Sequence, residues 1–108
     1  MHREYKLYIK DILEAIRKIE KYTEKMAYKD FIKDELRIDA VIRNLEVIGE
    51  TVKNIPENIR IKCPEIEWKK IAGLRDILIH AYFGIDFDIL WDIIKSKVPK
   101  LKGSISKF

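Results

Sequence analysis

The sequence predicts an all-α fold, an antiparallel bundle of about four to five helices. Three observations predict it. Apolar residues recur at steps of three and four along almost the whole chain. No stretch of convincing length alternates apolar and polar residues as a strand would, and there is no internal repeat. Pro56, Pro64, Gly84 and Pro99 punctuate the periodic segments, as helix ends require.

The first element is the clearest. Tyr5, Tyr8, Ile9, Ile12, Leu13, Ile16 and Ile19 form one apolar stripe with charges between them, which predicts a helix over 4–23. The pattern lapses from Tyr22 to Lys29, a predicted loop. A second helical stretch begins near Asp30, read as its N-cap, and carries Leu36, Ala40, Val41, Leu45, Ile48 and Val52. A break near Asp34 would make it a short helix followed by a long one, stopping before Pro56. One further turn after Pro56 is expected, because proline suits a first helical turn. A third main helix starts near Ile66 or Glu67, includes Trp68, Ile71, Leu74, Ile77 and Leu78, and ends near Ala81 with Gly84 as a stop signal. Asp86 then caps a last helix carrying Ile89, Leu90, Ile93 and Ile94, which Pro99 is expected to end. Gly49 and Gly73 lie inside helices at a cost of ~1 kcal/mol each against alanine. Each is either simply tolerated or allows another backbone to come close.

Length and composition bound the class. With 108 residues, 47% hydrophobic and 37% charged, the chain reads as a single domain over 1–108 with a modest core. Burial between two copies would enlarge that core. Met1-His2-Arg3-Glu4 runs straight into a charged amphipathic pattern, unlike a signal peptide. No apolar run approaches the ~20 residues that span a membrane. The single Cys63 excludes an intrachain disulfide framework and fits a reducing cytoplasm. The net charge of +4 is mild, but no acidic residue follows Asp92, whereas Lys95, Lys97, Lys100, Lys102 and Lys107 do. This basic tail, at about 95–108, reads either as a solubilising, frayed terminus or as a surface for RNA or an acidic partner.

The chemistry concentrates in RDILIHAYFG, residues 75–84. Asp76 and His80 stand four apart, on one helix face, so the carboxylate can orient the imidazole and favour its protonated form. The helix C-terminus also favours a cation there. A histidine tuned in this way suits proton transfer. Arg75 diverges from His80 by ~140° around the axis, yet a long guanidinium can swing into the same cleft and grip a phosphate. Tyr82 falls at or beyond the helix end. Cation, imidazole and phenol together can cleave a phosphodiester without a metal. Metal ligation is poorly supported, since His80 has neither a second well-placed histidine nor a cluster of carboxylates around it. There is no glycine-rich phosphate loop and no nucleophile elbow. The plain alternative is a polar edge on an ordinary helix end.

RDILIHAYFG matches the R-x4-H-x-Y signature of the HEPN superfamily in its HepT-like ribonuclease toxin branch, and the resemblance extends beyond it. AVIRNLEVIGETVKNIP, residues 40–56, is similar to the family's long second helix, with Ile48, Gly49 and Glu50 as its Ile-Gly-Glu step. PEIEWKKIAGLRDILIHAYFGIDFDILWDII, residues 64–94, resembles the family stretch with one tryptophan before the motif helix and one after it, here Trp68 and Trp91. The resemblance implies a cytoplasmic homodimer whose motif helices meet at a cleft, and a metal-independent endoribonuclease with no cofactor. It places the catalytic roles on Arg75 and His80, with Asp76 in support. It further implies the toxin half of a type VII-like toxin–antitoxin system. The cognate partner would be a minimal, MntA-like nucleotidyltransferase that silences the toxin by adding AMP to Tyr82. Glu50 is read either as a hydrogen-bond support for Arg75 or a neighbouring motif side chain, or as half of a helix-packing salt bridge. Trp68, Trp91, Tyr5, Tyr8 and Tyr28 read as packing. The alternative function is a non-catalytic HEPN module that docks a nucleotidyltransferase or binds nucleotide or RNA without cutting.

Overall fold

Two helices of 19 residues each form the centre of the fold, α1 (Tyr5–Thr23) and α3 (Glu35–Lys53). The computed structural model describes residues 4–74, 76, 78 and 86–108. Ile9, Ile12, Ala15, Ile16 and Ile19 of α1 are buried as one stripe, and α3 answers with Ile38, Val41, Ile42, Leu45, Ile48 and Val52. Each of the isoleucine, leucine and valine side chains contributes roughly 1.5–3 kcal/mol of transfer free energy on full burial, which outweighs any propensity term within the helices. Thr23 at the end of α1 is buried as well, and its hydroxyl donates to the Ile19 carbonyl at 2.8 Å. Among the described residues the elements are helical, and no helix is long and apolar enough to cross a membrane.

The chain leaves α1 through a tight turn in which Lys25 takes a left-handed φ of 59°, a conformation that costs an L-residue roughly 1–2 kcal/mol. A single turn, α2 (Tyr28–Phe31), follows at once, so the predicted loop over 22–29 shrinks to its middle. Asp30 lies inside α2 and does not cap the long helix. Asp34 does: its Oδ1 accepts the Arg37 N–H at 3.1 Å, and the chain breaks there as the sequence allowed. The reason is Phe31. It is fully buried, with its ring 5.1 Å from that of Trp91, and the short helix sets it there before α3 begins. Tyr28 packs edge-on against the same indole and donates its hydroxyl to Asp88 at 2.7 Å.

Pro56 opens α4 (Glu57–Arg60), the single turn expected after it. From that turn the Arg60 guanidinium reaches back to the carbonyls of Val52 at 2.8 Å and Ile55 at 3.0 Å, closing the end of α3 where backbone acceptors are left over. Trp68 opens α5 (Trp68–Ala72), and its indole N–H is shared between the carbonyls of Arg60 and Cys63, each at 3.1 Å. Gly73 follows as the C-cap, with Leu74, Asp76 and Leu78 again helical. The expected stop at Ala81 and Gly84 lies outside the described residues.

Asp86 caps α6 (Phe87–Asp92) as predicted, accepting the N–H groups of Asp88 at 3.0 Å and Ile89 at 3.2 Å. The helix does not end at Pro99. It widens into a π turn over Ile93–Lys97, closed by the Val98 N–H on the Ile93 carbonyl, and resumes as α7 (Val98–Ile105). Proline has no N–H, and its ring collides with the carbonyl four residues back in an unbroken α-helix. The π turn re-phases the chain so that Pro99 falls in the first turn of α7, where neither defect matters. Leu90, Ile94, Val98, Leu101 and Ile105 are then buried along one line. The basic C-terminal segment is therefore a packed helix and not a frayed terminus. Lys102 pairs with Glu20 at 2.9 Å and Lys107 with Glu65 at 3.2 Å.

Candidate functional site

The scaffold fixes both flanks of the R-x4-H-x-Y segment. On the upstream side, α5 lies against α3 at Gly49. A Cβ built on Gly49 would come 3.1 Å from the Ile71 carbonyl oxygen, so the two backbones meet where a side chain would intrude. That settles the two readings of Gly49 in favour of close approach. Gly73 is the C-cap of α5 and not a helix-interior residue as the sequence predicted, and a Cβ there would meet only ordinary contacts at 3.5 Å. On the downstream side, the Asp86 cap starts α6, and Trp91 locks it onto α2.

Between the flanks, Arg75, His80 and Tyr82 lie outside the described residues, so the proposed base, cation and modified tyrosine carry no geometry here. Asp76 is described. It is helical and exposed, and its N–H donates to the Gly73 carbonyl at 3.1 Å. Glu50 is exposed on α3, and the Lys53 ammonium stands 3.5 Å from its carboxylate. Trp68 is buried and Trp91 half-buried, as packing roles require. Lys95 places its ammonium 4.7 Å from the Trp91 ring centre, a cation–π contact.

A cavity of about 200 Å³ opens beside the start of the motif, between α3, α5 and the C-terminal helix. Leu45, Ile48, Ile71, Leu74, Ile93 and Leu101 make its walls apolar. Glu65, Glu67, Lys70, Lys97, Lys100 and Ser104 supply its polar lining. Lys70 is held by Glu67 at 2.8 Å. Lys97 and Lys100 have no ion-pair partner among the described residues. Leu74, in the wall, immediately precedes Arg75 in the chain. At one edge Cys63 faces the Ser104 carbonyl at 3.8 Å. Burial, reinforced by the Glu65 carboxylate, pushes the Cys63 thiol up to about 11. In return, that thiol, the backbone N–H of Glu65 and Lys107 hold the Glu65 carboxyl down to about 2. Sequence reasoning did not find this cavity. Its only linear trace is the pair Lys97 and Lys100, one helical turn apart in a stretch without acids.

The architecture defines the class: an all-α bundle that carries an R-x4-H-x-Y segment between α5 and α6 in the chain. The chain belongs to the ribonuclease HepT-like family, whose model matches residues 12–108. It is 48% identical over 107 residues to a protein of Thermococcus cleftensis named probable ribonuclease HepT, covering 99% of this chain and 97% of that one. A Methanocaldococcus jannaschii protein named as a gamma-glutamylcyclotransferase and candidate RNase is 45% identical over 99% of this chain, and the matched part is 48% of that longer protein. A candidate RNase of Caldanaerobacter subterraneus is 38% identical, over 93% of this chain and 89% of its own. No solved structure gives a significant match.

Proposed function

We propose that the protein is a metal-independent endoribonuclease, the toxin of a toxin–antitoxin pair, and that it works as a homodimer. The observation that carries the reading is the intact set Arg75, Asp76, His80 and Tyr82 inside a chain whose family match spans 12–108. Arg75 holds the scissile phosphate and the negative charge that builds on it. His80 takes the proton of the ribose 2′-OH as that oxygen attacks phosphorus. The bond to the 5′ oxygen breaks, a 2′,3′-cyclic phosphate forms, and the leaving oxygen is protonated, by the partner protomer's histidine where two motif helices share one cleft. Asp76, one turn before His80, orients the imidazole.

Control falls to Tyr82. A nucleotidyltransferase antitoxin transfers AMP from ATP to the phenol oxygen and releases pyrophosphate. The added anion stands two residues from His80, competes for Arg75 and excludes RNA by charge and bulk.

Purified protein incubated with RNA in chelator should cut it, and His80→Ala and Arg75→Ala variants should not. Equal background from all three removes the nuclease reading, and RNA bound but never cut points instead to a binding module. With the partner and ATP, intact mass should rise by whole AMP units in the wild type and stay unchanged in Tyr82→Phe.

A further inference from the structure

We propose that the cavity between α3, α5 and α7 is a nucleotide subsite, in which one base of a single-stranded RNA enters the apolar chamber while Lys97 and Lys100 hold the flanking phosphates; this rests on the ribonuclease reading above. The first argument is the distribution of the C-terminal lysines. Lys95 is spent on the Trp91 ring, Lys102 on Glu20 and Lys107 on Glu65. Lys97 and Lys100 remain, and both line this one cavity. Three residues apart, they share a helix face; the two carboxylates in the lining, Glu65 and Glu67, are already paired with Lys107 and Lys70, although Glu67 also acts on both lysines.

The second argument is size and polarity. An apolar cavity of ~150 Å³ takes up a benzene ring. A volume of about 200 Å³ lined by Leu45, Ile48, Ile71 and Leu101 is enough for one flat heterocycle among aliphatic side chains. A base offers two apolar faces and carries its charge outside the ring, on the phosphates. An apolar cavity whose lining includes two lysines outside any ion pair matches that division. The third argument is position. Leu74 is both a wall of the chamber and the residue before Arg75, so the cavity adjoins the start of the motif segment in the chain.

The test uses the full chain carrying His80→Ala, so that RNA persists uncut. AMP and a short single-stranded RNA oligomer are titrated while the methyl signals of Ile71, Leu74 and Leu101 are followed. Those signals should shift with both ligands. Lys97→Ala/Lys100→Ala should weaken oligomer binding about tenfold and reduce the salt dependence by about 1.4, the value for two single-strand phosphate contacts. Ser104→Phe, which fills the edge of the chamber, should weaken binding, whereas Ser104→Ala should not. Unmoved methyl signals, or unchanged affinity and salt slope in the lysine variant, would overturn the subsite. So would a Ser104→Phe protein that changes its sedimentation but not its RNA affinity, because the chamber would then belong to a second copy of the chain. If Ser104→Phe does not fold, the exposed lysine pair decides alone. Cleavage by protein with native His80 is measured in parallel. Methyl shifts without cleavage remove the nuclease reading and keep the subsite. Cleavage with a KM indifferent to both lysines removes the subsite and keeps the nuclease.

Discussion

Each helix of the α1–α3 pair has the same length as the helical stretch from Phe87 to Ile105, 19 residues, but the two regions have opposite constructions. The pair is regular, held by fully buried Ile12, Ile16, Ile19, Val41, Leu45, Ile48 and Val52. The C-terminal stretch is α, then π, then α, and every charged residue after Asp92 is an exposed lysine. The difference teaches where helical period is sufficient. In the pair, period and packing agree. In the C-terminal stretch a proline opposes the apolar line, and the line wins because one widened turn costs less than exposing Val98, Leu101 and Ile105.

Truncation should rank the two regions. Leu45→Ala removes a fully buried side chain from α3 and should cost about 2–5 kcal/mol in urea unfolding. Leu101→Ala, at 8% exposure in α7, belongs at the low end of that range. An equal or greater loss at Leu101 would reverse the ranking and make the C-terminal helix the stronger prop.

Two glycines sharpen the same contrast with opposite signs. Gly49→Ala pushes a methyl against the Ile71 carbonyl, so overpacking should outweigh better helix propensity and leave a net loss of about 1 kcal/mol. Gly103 has nothing within 4 Å of an added Cβ, so Gly103→Ala should gain roughly 0.5–1 kcal/mol. Thermal melts of both variants give the signs directly. Between them in size falls the start of α6: Asp86→Ala should cost ~1 kcal/mol by loss of the cap. An unchanged melt would mean that Trp91 alone holds that helix in place.

The smallest effect is a pH limb. The Glu65 carboxyl, ordinarily near 4.5, is held at about 2 in the fold. A group whose folded pKa is depressed contributes stability above its unfolded pKa and loses it as pH falls through the folded one. Stability of the wild type should therefore carry a limb between about 4.5 and 2 that is missing in Glu65→Gln. Superimposable acid profiles would assign that limb to other carboxylates.

Much of this architecture was legible in the chain. The bounds of α1, the turn after Pro56 and the Asp86 cap follow from local chemistry, because stripes and caps are written within a few residues. Asp30 and Asp34 could not be ranked locally, since the choice depends on Phe31 reaching Trp91, 60 positions further on. Pro99 misled for a related reason. Leu90, Ile94, Val98, Leu101 and Ile105 step through it at four, four, three and four, a line visible in the sequence but contradicted by its proline. The candidate site divides in the same way. The R-x4-H-x-Y spacing is local and readable. The cavity needs Leu45, Ile71 and Leu101 brought together from three segments, which no window of sequence contains.

The meeting of Gly49 with Ile71 sets how this protein can drift. A joint made between two backbones passes any bulk added at Gly49 directly to the start of α5, because no flexible side chain stands between them to give way. Size is therefore felt most directly at one missing atom, the Cβ of Gly49, while buried Ile48 beside it keeps its own packing demand.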